Sequence, residues 1–161
     1  MTTSEAKADL KKQVSDMQAR FKARAQTEHT NLYTQVAKSC MQVENTAKRK
    51  MTDAVTDDAI SYGKRGHHPS VPGSAPAVDA GTLRRSVMHD VTSFGGAVEG
   101  HVGSTIVVPN YGMFLENGTS KMQPRPWLMP SVDENMSNIR DNIKQAVVSK
   151  DFTVNDVAVE G

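Results

Sequence analysis

Aromatic residues make up only 5% of this 161-residue chain, with one Trp, three Tyr and four Phe. Together with a hydrophobic fraction of 37%, that scarcity limits the chain to a modest core and leaves much of its surface to solvent or partners. The single cysteine, Cys40, excludes an internal disulfide, so nothing ties the chain to an oxidising compartment. Cys40 falls on an apolar helical stripe and is expected to be a small core residue. No apolar run reaches the ~18 residues of a membrane-spanning helix. The opening MTTSEAKADLKK lacks the apolar stretch of a secretion signal. A soluble protein made in a cytoplasm, with no membrane partner, is therefore expected. Asn117-Gly118-Thr119 then reads as a turn rather than a glycosylation site.

Net charge is +1, but the sum hides segregation. Lys64, Arg65, Arg84 and Arg85 face only Asp79 over residues 64–85, with His67 and His68 beside them. Residues 86–116 hold Asp90, Glu99 and Glu116 and no Lys or Arg. Opposite patches on one small chain suit head-to-tail contact between copies. Scattered solvated charge is the plainer alternative.

The expected fold is α+β in a single domain over residues 1–161. A long N-terminal helical region (1–62) leads into a Gly/Pro-rich loop (63–82). A small, mainly antiparallel sheet and a C-terminal amphipathic helix share 83–150, and 151–161 form a tail. Leu10, Val14, Met17 and Phe21 fall at helical spacing, and Val36, Cys40, Val43, Ala47, Met51 and Ala54 continue the pattern to about residue 61. Thr27, His29, Thr30 and Asn31 weaken helix propensity between them, which predicts a kink or break there. So narrow a stripe packs on one side only, against the chain's own sheet or a neighbouring subunit.

Four glycines and three prolines over residues 63–81 exclude helix and predict a long loop ordered by partners. Strands are expected over 87–94 and 97–103 around Gly95-Gly96, a hairpin turn dipeptide. Val98, Val102, Ile106 and Val108 recur at even spacing, as on one buried face. Asn110 can cap a short helix carrying Tyr111, Phe114 and Leu115, with Gly118 ending it. Leu128, Val132, Met136, Ile139, Ile143 and Val147 predict the apolar face of the last helix. Phe152 and Val154 suit either an edge strand or a loose tail.

Chemical constellations are weak, so no catalytic residue, metal site or cofactor is expected. His67-His68 has no Cys or carboxylate at ligand spacing. His89 and Asp90 are strand neighbours and point to opposite faces. Ser86, His89 and His101 can be drawn as a triad, but no nucleophile elbow frames them. Gly63-Lys64-Arg65-Gly66 lacks phosphate-loop spacing. Lys64, Arg65, Arg84, Arg85, Lys121 and Arg125 are the candidate interface cations, a basic surface suited to phosphate contact without sequence readout.

Residues 111–132, YGMFLENGTSKMQPRPWLMPSV, hold the only Trp and three of the seven Pro. Tyr111, Phe114, Gly118, Pro126 and Trp127 form a candidate structural joint. Pro126 is expected to fix φ where the last helix leaves the sheet, and Trp127 to fill the gap between them.

Two segments carry a resemblance. The first is Pro72-Gly73 through Pro76, followed by Asp79-Ala80-Gly81-Thr82-Leu83-Arg84-Arg85-Ser86, a turn glycine with Leu-Arg-x-Ser opening a strand. The second is Tyr111 to Met122 followed by Arg125-Pro126-Trp127-Leu128 and Pro130. Both are similar to neck and tail-completion proteins of long-tailed bacteriophages, the head–tail connector components also called minor tail proteins. Motifs cover roughly residues 63–148, and the N-terminal helix matches by pattern only. Where Asn117 stands, that family tends to carry an aromatic.

The resemblance implies a virion protein at the head–tail junction, assembled as a ring of six copies. Its partners would be copies of itself, head-completion or portal-side adaptor proteins, and the tail terminator or tail tube. Genomic DNA would pass through the channel in passive contact. The alternatives are a tail-terminator ring capping the tail tube, and a DNA-binding protein using the 64–85 loop.

Overall fold

The computed structural model describes residues 3–61, 66, 68–106 and 110–147. Its architecture is α+β: a long N-terminal helix, a two-stranded antiparallel hairpin and a C-terminal helix.

The first 62 residues contain neither Gly nor Pro, so no residue forces a helix to stop once it has started. A single helix, α1, runs over Thr3–Thr52. At 1.5 Å per residue it is ~75 Å long, about twice the width of a compact domain of this size. The helix is unbroken where weak propensity predicted a kink. Thr27, Thr30 and Thr34 donate their hydroxyls to the carbonyls of Ala23, Gln26 and Thr30 at 2.9–3.0 Å, satisfying these polar groups inside the helix.

Nor does α1 reach residue 61. After Thr52 the chain turns away and pairs with the Gly/Pro loop instead. Val71 N–H donates to the Val55 carbonyl at 2.9 Å and Asp57 N–H to the Pro69 carbonyl at 2.8 Å. The Asp57 carboxylate caps the Ala59 amide, offering a turn that competes with helix.

Part of the loop is therefore ordered by the chain itself. Ser74 accepts the Val55 amide, and Ala75 is buried. The segment expected to open a strand is instead a helical turn, α2, over Thr82–Ser86, entered through Gly81 at φ 74°. The strand follows at once.

Strands β1 (Val87–Phe94) and β2 (Ala97–Ser104) pair antiparallel, with Phe94 opposite Ala97 and Val87 opposite Ser104. Gly95 and Gly96 both take positive φ (61° and 87°), as a two-residue turn matching strand twist requires. The hairpin lies along α1. His89 bonds Glu44, the Tyr33 hydroxyl donates to the Val91 carbonyl at 3.4 Å, and Ser93 meets His29 at 2.8 Å. Val98 and Val102 share one side of β2 as expected and are half-buried; Val108 lies outside the described residues. Between them Gly100 lets strand and helix touch. A Cβ there would stand 2.3 Å from Cys40 Sγ and 2.9 Å from Val36 Cγ1.

Helix α3 (Tyr111–Asn117) and helix α4 (Met129–Val147) complete the fold. The core is small and sits where the C-terminal end of α1 meets β1 and the α3–α4 connector: Ala47, Met51, Ala75, Val87, Leu115 and Trp127. Cys40 is buried nearby, as its place on the stripe predicts.

Helix α4 runs antiparallel to α1; Val132, Met136 and Ile139 of the expected row are half-buried, but the most buried positions lie one row over. Its buried residues are Ser131, Asn135, Asn142 and Ala146. Asn135 donates to Thr46 Oγ1 at 2.9 Å and Asn142 to Ser39 Oγ at 3.1 Å, forming a polar seam. The apolar row lies beside the seam, leaving Ile143 and Val147 exposed.

Candidate functional site

The connector from α3 to α4 is a closed polar and apolar unit. The Asn110 side chain accepts the Met113 amide at 3.3 Å and starts α3. Gly118, at φ 74°, ends it, where a Cβ would meet the Met122 carbonyl oxygen at 2.8 Å and the Pro124 nitrogen at 2.9 Å. Thr119 and Met122 then exchange backbone bonds, and the Arg125 amide returns to the Leu115 carbonyl at 2.7 Å.

Trp127 fills the space that this folding encloses. It is 2% exposed, and its indole N–H donates to the Gly112 carbonyl at 3.2 Å. Gly112 permits the approach, since a Cβ there would lie 3.3 Å from the indole Cζ2.

Glu116 locks the unit. One carboxylate oxygen accepts the amides of Trp127 and Leu128 at 2.7 and 2.9 Å, and the other accepts that of Met129 at 2.9 Å. These amides open α4, where unpaired N–H groups and the helix dipole favour an anion. Pro130 sits in the first turn of α4, where its missing N–H costs nothing.

Of the expected joint residues, Gly118, Pro126 and Trp127 lie in this unit. Tyr111 and Phe114 do not fill it. Gly112 and Leu115 are the buried side of α3, while Tyr111, Met113 and Phe114 are about half exposed and face outward.

The expected cations divide. Lys64 and Arg65 lie outside the described residues. Arg125 is structural: its Nε donates to the Ser70 carbonyl at 3.0 Å and one Nη to that of Gln123, tying the Gly/Pro loop to the joint. Arg84 Nε reaches the Lys48 carbonyl in the last turns of α1 at 3.4 Å. Arg85 and Lys121 are exposed. Tyr111 stands between two adjoining clefts. One, of about 450 Å³, is lined by Lys121 and Arg125, and the other, of about 230 Å³, by Arg84 and Asp79.

The Ser86, His89 and His101 grouping is not assembled. Ser86 bonds Ser104 and the Leu83 carbonyl. His89 bonds Glu44, which also pairs with Lys48. Burial raises the Glu44 pKa, but the bonds from Lys48 and His89 lower it, and the net shift is downward. Burial pushes the Cys40 thiol up and away from the reactive thiolate. No group of three or more metal-ligating side chains occurs among the described residues.

Sequence reasoning missed Glu116, Gly100 and the polar seam. A glycine interrupting an even-spaced valine run was a usable signal for the second, since it marks close backbone approach. Compared with known protein families, curated proteins and solved structures, the chain matches none.

Proposed function

We propose that this chain is a structural virion protein of a tailed bacteriophage. It is a ring subunit of the neck that joins the DNA-filled head to the tail and continues the DNA channel. Support comes from the outer face of α3, where Tyr111, Met113 and Phe114 are exposed together, with Met129 exposed at the start of α4. An apolar group of this kind on a soluble chain marks a contact surface. Its mounting is rigid, because Glu116 and Trp127 fix α3 against α4.

A ring closes through heterologous contacts, so each subunit needs a second, different surface. The outer side of the hairpin supplies one: Met88 and Phe94 are exposed, and among the described residues the sheet has two strands. Subunit contact through α3 predicts that Phe114→Asp leaves the melting temperature unchanged but fails to restore infectious particles to a phage lacking the chain. Full complementation by Phe114→Asp would remove α3 from the interface and the support it gives.

A further inference from the structure

The Gly/Pro loop and the α3–α4 connector are pinned to one another. The Gly73 amide donates to the Pro124 carbonyl at 2.9 Å, and Arg125 Nε donates to the Ser70 carbonyl at 3.0 Å. The loop is held in turn to the segment after α1 through the Val71 and Asp57 amides. The cleft of about 450 Å³ lined by loop and connector therefore has walls fixed by the backbone. Its volume falls within the ~300–1,000 Å³ of small-ligand sites.

The charge of this cleft has one sign. Lys121 and Arg125 line it, and no Asp or Glu does so among the described residues. Two of the five guanidinium N–H groups of Arg125 go to the Ser70 and Gln123 carbonyls, which hold the cation in place and leave the others for a ligand. Lys121 is exposed at the rim.

Ser70 is the second, independent observation. It lines the same cleft, is 3% exposed, and its hydroxyl is buried with no hydrogen-bond partner among the described residues. A buried hydroxyl left unsatisfied is costly, and alanine would fill the same place without that cost. The Ser70 carbonyl accepts from Arg125, so the unpaired hydroxyl belongs to a residue in direct contact with the guanidinium.

We infer that this cleft binds an oxyanion of the phosphate class, with the Ser70 hydroxyl and Arg125 as its inner donors and Lys121 as its outer cation. Such a group accepts charge-assisted bonds from both donors and meets no acid that would repel it. A cation would instead meet Lys121 and Arg125 with no carboxylate to offset them. Donors from two chain segments suit a tetrahedral group, whose oxygens point several ways, better than a planar carboxylate. The phosphate comes free, on a small molecule, or from a nucleic-acid backbone. The site is independent of the proposed neck role.

Amide chemical shifts of the full chain, titrated with inorganic phosphate against sodium chloride and sodium acetate at equal ionic strength, test it. The Ser70, Met122 and Arg125 amides should shift saturably with phosphate. Ser70→Ala should weaken binding about tenfold, the worth of one hydrogen bond to a charged group. Its melting temperature should be unchanged or higher, because the hydroxyl has no bond to lose. Lys121→Gln should weaken binding about threefold, as suits an exposed cation. Competition by a short DNA duplex would make nucleic acid the source of the phosphate, and binding without competition a free or small-molecule phosphate; either supports the site. No saturable shift, equal shifts with chloride or acetate, or an unchanged phosphate affinity in Ser70→Ala would overturn it.

Discussion

Removing the indole of Trp127 is the sharpest perturbation of the joint. A buried Trp removes on the order of 200 Å² from water, worth ~5 kcal/mol at ~25 cal/mol per Å². Trp127 is 2% exposed, so nearly all of that applies, and Gly112 would lose its only indole donor. Partial collapse of the site returns some of the loss, so Trp127→Ala should cost about 3–5 kcal/mol. Trp127→Phe keeps most of the volume but removes the indole N–H bond to the Gly112 carbonyl, at a cost of about 0.5–1.5 kcal/mol. In a chain of this size each kcal/mol lowers the melting temperature by roughly 2–4 °C. Far-UV circular dichroism must follow the unfolding, because the variants lack the only Trp. If Trp127→Ala lost less than about 1 kcal/mol, the order of a bare surface substitution, the indole would not be core and the joint would not depend on it.

Three further outcomes follow from other contacts. Glu116→Ala should destabilise by about 1–2 kcal/mol through loss of the α4 cap. Glu116→Gln should lose less, because one oxygen can still accept the Trp127 and Leu128 amides; equal losses in denaturant melts would contradict this. Gly100→Ala should cost about 1–3 kcal/mol by forcing strand and helix apart, and Cys40→Ala in the same chain should recover part of it. No recovery would place the strain elsewhere. The lowered Glu44 pKa means that its ionised form stabilises the fold above its ordinary value near 4.5, and that this is lost as pH falls through the lower folded value. Glu44→Gln should therefore flatten the loss of stability in acid, measured as denaturation midpoint against pH, and an unchanged slope would show the cluster to be inert.

The elements with strong local signals were legible in the sequence. The hairpin was marked by Gly95-Gly96, α3 by Asn110 and Gly118, and α4 by its periodicity. Errors arose where one residue type serves two structures. Threonine favours strands, yet Thr27, Thr30 and Thr34 satisfy their hydroxyls within α1, so the helix continues. The apolar row of α4 was visible, but hydrophobicity alone did not reveal that Asn135 and Asn142 would find Thr46 and Ser39 across the seam. Such pairing depends on two helices meeting in one register, which no local pattern encodes. Trp127 was legible as an anchor because a lone Trp between prolines has few other roles. Glu116 was not, since its three partners lie eleven to thirteen residues away across a turn. Tyr111 and Phe114 have the composition of core residues, and only the side of α3 taken by Gly112 and Leu115 turns them outward.

The neck assignment is tested most directly by electron microscopy of lysates from a phage in which this reading frame is stopped early. DNA-filled heads beside separate, complete tails are the predicted result. Full heads with overlong or frayed tails would transfer the role to a tail terminator. Normal infectious particles would contradict a structural role at the head–tail junction altogether.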